Sequence, residues 1–472
     1  MKTFRTTWGR AIGAALLAGA AVTGCDWLNV DQRDPNRVPS ATLDQLFLAS
    51  QVATFYFAEG EVPRLTTIWI QQLAGTDRQY SLYDTYIFTE GDSDNQYATV
   101  YTGGGLPALR RAQQLATEAG RRTYLGILKI YEAYLVGMGA SIWGDIVYSQ
   151  ASNPEQFPAP QLDRQEAVYA AVQQLLDGAI ADLQSGQGTP AGPADLNFGG
   201  DPQRWIRVAN SLKARFYMHW VEAQRAGGAA AQAAQVACAG DCIAKAIAAA
   251  QKGINSPAGD WRAIHGEKDT ESNVWFQFMR DRSGYVSAGA FLVSTLQQRN
   301  DPRLNFYFTP GDAGMVGSRP GQNLAGAAQL NINPGGVAAS SAPIPILTCA
   351  ETQFILAEAY YYQNNLEPAN TALRNGVDCE RQRTGLNIPL PSPFLVGQEL
   401  FDEIMLQKYV ALFLNLEAWN DYKRTCRPVL QTYNNQPIPR RFFYGSTERQ
   451  SNPNVPAPGQ QPRANRNDPN PC

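Results

Sequence analysis

Apolar side chains spaced three and four residues apart recur along most of this chain, whereas strand-like alternation is scarce and short. That period places one apolar stripe on each helix, and each stripe must be covered by another element. Leu43, Leu46, Phe47 and Val52 begin the first stripe. Tyr124, Leu125, Leu128, Tyr131 and Leu135 form a second, ending at Trp143-Gly144-Asp145, where Gly144 suits a helix terminus that needs a positive φ. Val168, Val172, Leu175, Leu176, Ala179 and Leu183 form a third. Residues 203–226, 229–254, 286–299, 350–364, 367–380 and 398–424 read as further helices. The expected fold class is therefore mainly α, with one large domain over 41–472.

Within 350–376, Leu356, Ala357, Tyr360, Ala369, Leu373 and Gly376 have the spacing of a tetratricopeptide repeat. The expected hairpin covers 350–380. Small residues at 357 and 369 let two helices approach, and Tyr360 and Leu373 fill the gap between them. Residues 74–105 and 309–345 read as irregular and site-bearing, because long loops in compact domains are usually functional or disordered. The Pro- and Asn-rich tail, 452–472, is expected to lie extended over the surface.

The N-terminus carries Lys2, Arg5 and Arg10, then an apolar run from Ala11 to Val22, then Thr23-Gly24-Cys25. A basic start, a short apolar core and small residues before a cysteine describe a lipoprotein signal peptide over 1–24, with Cys25 acylated. Several acyl chains anchor a protein stably. Residues 25–40 read as a lipidated tether, and no other segment reads as long and apolar enough to span a bilayer.

Six further cysteines fit an oxidising compartment. Cys238 and Cys242 flank a turn; a disulfide is the first expectation there and half a zinc site the alternative. Cys349 begins one hairpin helix and Cys379 ends its partner, so both lie at one end of it. Cys426 and Cys472 pair by elimination, among 15 possible connectivities. No metal and no cofactor is expected: His219 and His265 are the only histidines. A net charge of −3 gives no pull toward nucleic acid.

The 398–424 segment is apolar almost all round from Tyr409 to Leu416, which implies burial. Glu417, Asp421, Lys423 and Arg424 then have to pair with one another or with buried partners. Trp205 with Asn210-Ser211 reads as scaffold, Gly103-Gly104-Gly105 as a loop-to-helix joint, and Asp301-Pro302-Arg303 as a turn. No acid–base motif and no nucleophile elbow occurs, so no enzymatic activity is expected.

Several segments resemble the SusD/RagB superfamily of nutrient-binding outer-membrane lipoproteins, in its SusD-like branch. They are Gln407-Lys408-Tyr409-Val410-Ala411-Leu412-Phe413 with Glu417-Ala418-Trp419-Asn420-Asp421-Tyr422-Lys423-Arg424-Thr425, and Phe198-Gly199-Gly200-Asp201 with Trp205 and Ala209 to Arg215. Trp143-Gly144-Asp145, Asp301-Pro302-Arg303-Leu304, Glu351-Thr352-Gln353-Phe354 and Pro439-Arg440-Arg441 with Tyr444, Glu448 and Asn452 add to them. Val147, Cys426 and Asp26 depart from the family pattern.

The resemblance implies an α-helical scaffold of tetratricopeptide-like hairpins with a loop-rich ligand face. It also implies an outer-membrane protein facing the exterior, which captures a glycan or peptide for a TonB-dependent, SusC-like transporter. A tetratricopeptide-like interaction scaffold is the alternative. Loop aromatics are the expected ligand contacts: Tyr80, Tyr83 and Tyr86 first, Trp275 and Tyr285 second.

Overall fold

The computed structural model describes residues 41–471. Residues 1–40 and Cys472 lie outside it, and with them the expected signal peptide, the Cys25 acylation site, the tether and one partner of the 426–472 bridge. From Leu43 onward the chain forms one compact unit.

Helices dominate, and neighbours in sequence pack on one another. Leu106–Glu118 packs on Arg122–Trp143, which packs on Gln165–Gln184, and that helix on Pro202–Met218. Cys242–Ala250 joins Pro202–Met218 to Cys349–Tyr362, which pairs with Leu366–Thr384. Local chemistry starts these helices. Asp201 accepts from the Gln203 and Arg204 amides just before Pro202, and Thr348 accepts from the Glu351 amide at 3.1 Å.

The hairpin follows the repeat pattern with one difference. Ala357, Ala369 and Leu373 are fully buried, and a Cβ on Gly376 would stand 2.3 Å from the Phe354 ring, so only glycine permits this approach. Tyr360 packs against the core without being enclosed by it. It is half-buried, and its hydroxyl accepts from Gln251 Nε2 at 2.9 Å. Cys349 is bonded to Cys379 across the hairpin, and Cys238 to Cys242 across a turn. Cys426 is also disulfide-bonded.

Four expected helices are interrupted. The 203–226 stretch divides after Met218, and 229–254 divides between Cys238 and Cys242, where Ala239 takes φ 49°. Residues 286–288 are a strand and the helix begins at Ala290. The 398–424 stretch becomes Gly397–Ala411 and Glu417–Thr425. An apolar surface on every side has no solvent face to lay along the exterior. The chain turns inward at Leu414, φ 65°, and Asn415 satisfies the break by donating to Pro345 O at 3.0 Å and accepting from the Glu417 amide at 2.9 Å.

By length and composition two segments could cross a membrane, contrary to the sequence expectation: Arg122–Trp143 and Gly228–Ala250. The first is a core helix buried almost throughout, and the second is the pair of helices broken at Ala239.

The paired charges are buried. Glu358 accepts from Arg424 Nη2 at 2.7 Å and from Lys408 Nζ at 3.1 Å, and Lys408 also donates to Asp421 at 2.9 Å. Arg215 makes a two-pronged contact with Glu351, 2.6 Å each, and Glu417 meets His219 at 2.8 Å.

The tail corrects the sequence reading. Asn465, Asn467 and Asp468 are buried. Asn465 donates to Ser141 O at 2.7 Å and Asn467 to His219 O at 3.1 Å. Both acceptors belong to helix ends, whose last carbonyls have no partner within the helix. A polar tail is drawn inside because it supplies those missing donors.

The described residues contain three two-stranded antiparallel sheets. The pair Leu73–Gly75 with Val286–Ala288 matters most, because it clamps together two loops that border the cavities described next.

Candidate functional site

The helix Glu61–Trp69 ends on Ile70, and Gln71 then turns the chain with φ 62°. After the strand Leu73–Gly75 comes the short helix Arg78–Asp84, and Tyr86 takes φ 65°. Asn434 and Asn435, at φ 47° and 58°, shape a loop that comes back against Tyr86. Positive φ at residues with side chains is costly and gathers where the surroundings enforce it, often at ligand sites.

Asp84 locks this corner. Its buried carboxylate accepts from the Gly75 amide at 3.1 Å and the Gly321 amide at 2.5 Å. Burial pushes its pKa up to about 7 against those two bonds. Gly321, φ 73°, lies so close to the Tyr433 ring that a Cβ would come within 2.4 Å. The Tyr433 amide in turn donates to the Tyr86 hydroxyl at 3.4 Å.

Two cavities flank this contact. One, about 610 Å³, is lined by Tyr86, Phe88, Arg440, Arg441, Phe443 and Arg463 among others. The Phe88 and Phe443 rings, both half-buried, lie 5.0 Å apart at 32°. Behind them Phe442, Trp69 and Trp419 continue the aromatic stack into the core. The tail forms the opposite wall, with Gln461 accepting from Arg441 Nη1 at 3.0 Å and from the Tyr444 amide at 3.1 Å. The second cavity, about 500 Å³, is lined by Gln71, Phe291, Arg319 and Tyr433. Gln71 Nε2 donates to Gln431 O at 2.9 Å and holds that loop in place. Half-exposed rings with polar rims suit a sugar, whose C–H faces stack while its hydroxyls hydrogen-bond.

Of the five aromatics expected to touch ligand, only Tyr86 borders these cavities. Tyr80, Tyr83, Trp275 and Tyr285 do come together, but around Arg64. The Arg64 guanidinium lies 3.9 Å over Phe278 and 5.2 Å from the Trp275 ring centre. Tyr80 is 6.2 Å from Tyr285 and donates to Glu61 at 3.0 Å, and Tyr83 donates to Asp92.

Tyr80 and Tyr83 are not the exposed loop rings expected. They sit on a helix, 2% and 5% exposed, and Trp275 is wholly buried. Their hydroxyls border a polar hollow of about 410 Å³, but are already bonded there. Sequence reading did not single out Phe88, Phe443, Tyr433 or Arg463. Asn434-Asn435 was the available signal, since asparagine pairs favour tight turns.

A family model described as SusD-like, starch-binding and associating with the outer membrane matches residues 35–445. Solved structures share the fold. A chitin-binding protein superposes with TM-score 0.74 at 18% identity, covering 91% of this chain and 100% of its own. A SusD/RagB family protein from Bacteroides thetaiotaomicron gives 0.69 at 22%, covering 92% and 98%. A chitin-binding SusD homolog from Flavobacterium johnsoniae gives 0.70 at 17%, covering 90% and 99%. No curated protein matches the sequence.

Proposed function

The chain belongs to the SusD-like family described as starch-binding and associating with the outer membrane, and from that premise we propose that it captures a glycan at the paired cavities beside Tyr86 without altering it. The observation that carries this reading is the Tyr86–Tyr433 contact. It places half-buried rings and a strained backbone between two neighbouring hollows, an arrangement suited to an extended chain of sugars. The chitin-binding character of two structural neighbours supports a saccharide over a peptide.

The protein is tethered through acylated Cys25, faces the exterior, and passes its ligand to a TonB-dependent transporter. Family membership and the signal-like N-terminus support these steps. Titration calorimetry against a panel of starch, chitin and other oligosaccharides tests the binding step. Unchanged lengths of the bound oligosaccharides exclude hydrolysis, whereas shortened products would overturn the binding-only reading. Mass spectrometry of the mature N-terminus tests Cys25, and purification from native membranes tests the transporter partner.

A further inference from the structure

The larger cavity has an unusual charge for a mildly acidic protein. Arg440, Arg441 and Arg463 line it, and none of its lining residues is aspartate or glutamate. The three arginines are not equivalent. Arg440 is engaged by the tail, donating to the Asp468 and Asn470 carbonyls. Arg441 is 5% exposed, stacks 4.5 Å over the Tyr444 ring, and donates from Nη1 alone, to Phe442 O and Gln461 Oε1. Its Nε and Nη2 are sealed from solvent, Nε facing Gly144, so they do not open on the cavity, and no carboxylate lies within ion-pair distance among the described residues. Asp145, whose charge reaches it, is bonded to Arg466 at 2.8 Å. Arg463 is exposed at the cavity wall, without a protein partner among the described residues.

Arg463, exposed with no carboxylate beside it, and the two arginines behind it give the cavity a positive field that its low-dielectric walls concentrate. Guanidinium matches a carboxylate in plane and spacing, and binds it more strongly than a neutral oxygen. We propose that this cavity selects an acidic saccharide, a glycan chain carrying carboxylate groups, with Arg463 receiving the charge beside the Phe88–Phe443 rings and Arg440 and Arg441 adding positive charge in the wall behind it. The rings favour a sugar over an acidic peptide, because adjoining flat faces at 5.0 Å present a surface for stacked pyranose rings. This assignment rests on the glycan-binding reading and names the ligand class within it.

The test compares oligogalacturonate with its carboxyl-reduced counterpart, neutral chitin and starch oligosaccharides, and an acidic peptide, each by calorimetry on the full mature chain. Oligogalacturonate should bind, and removing its carboxylates should weaken binding about tenfold. Affinity should fall as salt rises. Arg463→Glu, a change at an exposed residue, should weaken oligogalacturonate binding about tenfold as well. Arg441→Gln should act in the same direction, with a thermal melt reporting whether the fold is retained. Equal affinity for the carboxyl-reduced ligand, or binding of neutral oligosaccharides or the acidic peptide alone, would overturn the acidic assignment. If no saccharide of either kind binds, the glycan-binding reading fails as well.

Discussion

Lys423 and Asp468 form a buried ion pair, Nζ to Oδ2 3.2 Å, that fastens the C-terminal tail to the helix Glu417–Thr425. Lys423 also donates to Ser141 O, the same carbonyl that Asn465 caps, so the tail and two helices meet at one point. Asp468→Ala would remove the buried counter-ion that the Lys423 ammonium contacts and should destabilise the protein by about 3–5 kcal/mol. A urea midpoint within error of wild type would show that the tail is not part of the fold. The tail also walls the larger cavity, so this variant should weaken ligand binding too.

Acid should unfold the protein through two carboxylates. Burial raises the pKa of Glu358, but Arg424 and Lys408 more than offset it and hold it at about 2. His219 and Arg215 do the same for Glu417, also at about 2. Both lie below the ordinary 4.5. Their contribution is complete above that value and is lost as pH falls toward 2. Glu358→Gln should flatten this acid limb of the stability profile while lowering stability at neutral pH.

Asp84 and Asp260 act in the opposite sense. Burial pushes each up to about 7 despite backbone amides that favour the charged form. A raised carboxyl pKa favours folding at lower pH, so their contribution grows as pH falls from 7 toward the ordinary 3.8 and is lost on the way up. Stability from these four groups should therefore peak at about pH 4, between the ordinary values of 3.8 and 4.5, and decline from there toward pH 2 and toward pH 7. Asp84→Asn should reduce the slope on the upper side. Chemical denaturation across pH provides the check.

Tyr80→Ala or Tyr83→Ala should each cost about 3 kcal/mol or more, because both rings are buried in the Arg64 cluster. Trp419→Ala should cost about 3–5 kcal/mol for the same reason. A tyrosine variant with a normal melting temperature and lost ligand binding would instead return the site to this hollow.

Tyr86→Gly removes the ring at the contact between the two cavities, and glycine accepts φ 65° without strain. The fold should survive, while glycan affinity drops by about 0.5–1.5 kcal/mol from lost stacking alone. Calorimetry with the best ligand of the panel measures it. Unchanged affinity would move the site away from Tyr86.

The ordered motifs carry the likeness to the family; the helical class, the hairpin at 350–380 and the need to pair Glu417, Asp421, Lys423 and Arg424 are legible in the sequence itself. Each follows from local spacing or from the cost of burying a charge, and neither requires knowing which distant residue completes the contact. Tertiary structure alone decided the rest. An aromatic residue in a polar segment reads as an exposed loop ring, yet Tyr80 and Tyr83 are buried because Phe278, Arg64 and Glu61 arrive from other elements to cover and bond them. A proline- and asparagine-rich tail reads as a surface strap, yet helix ends at Ser141 and His219 present carbonyls that its amides satisfy. Arg441 and Arg463 lie on either side of the helix Ser446–Ser451 in the chain, and the bridge between Arg440 and Ala464, together with the Gln461–Arg441 bond, brings both to one cavity. Periodicity is written between neighbours in the chain, whereas a cavity is made by segments that the chain order keeps apart.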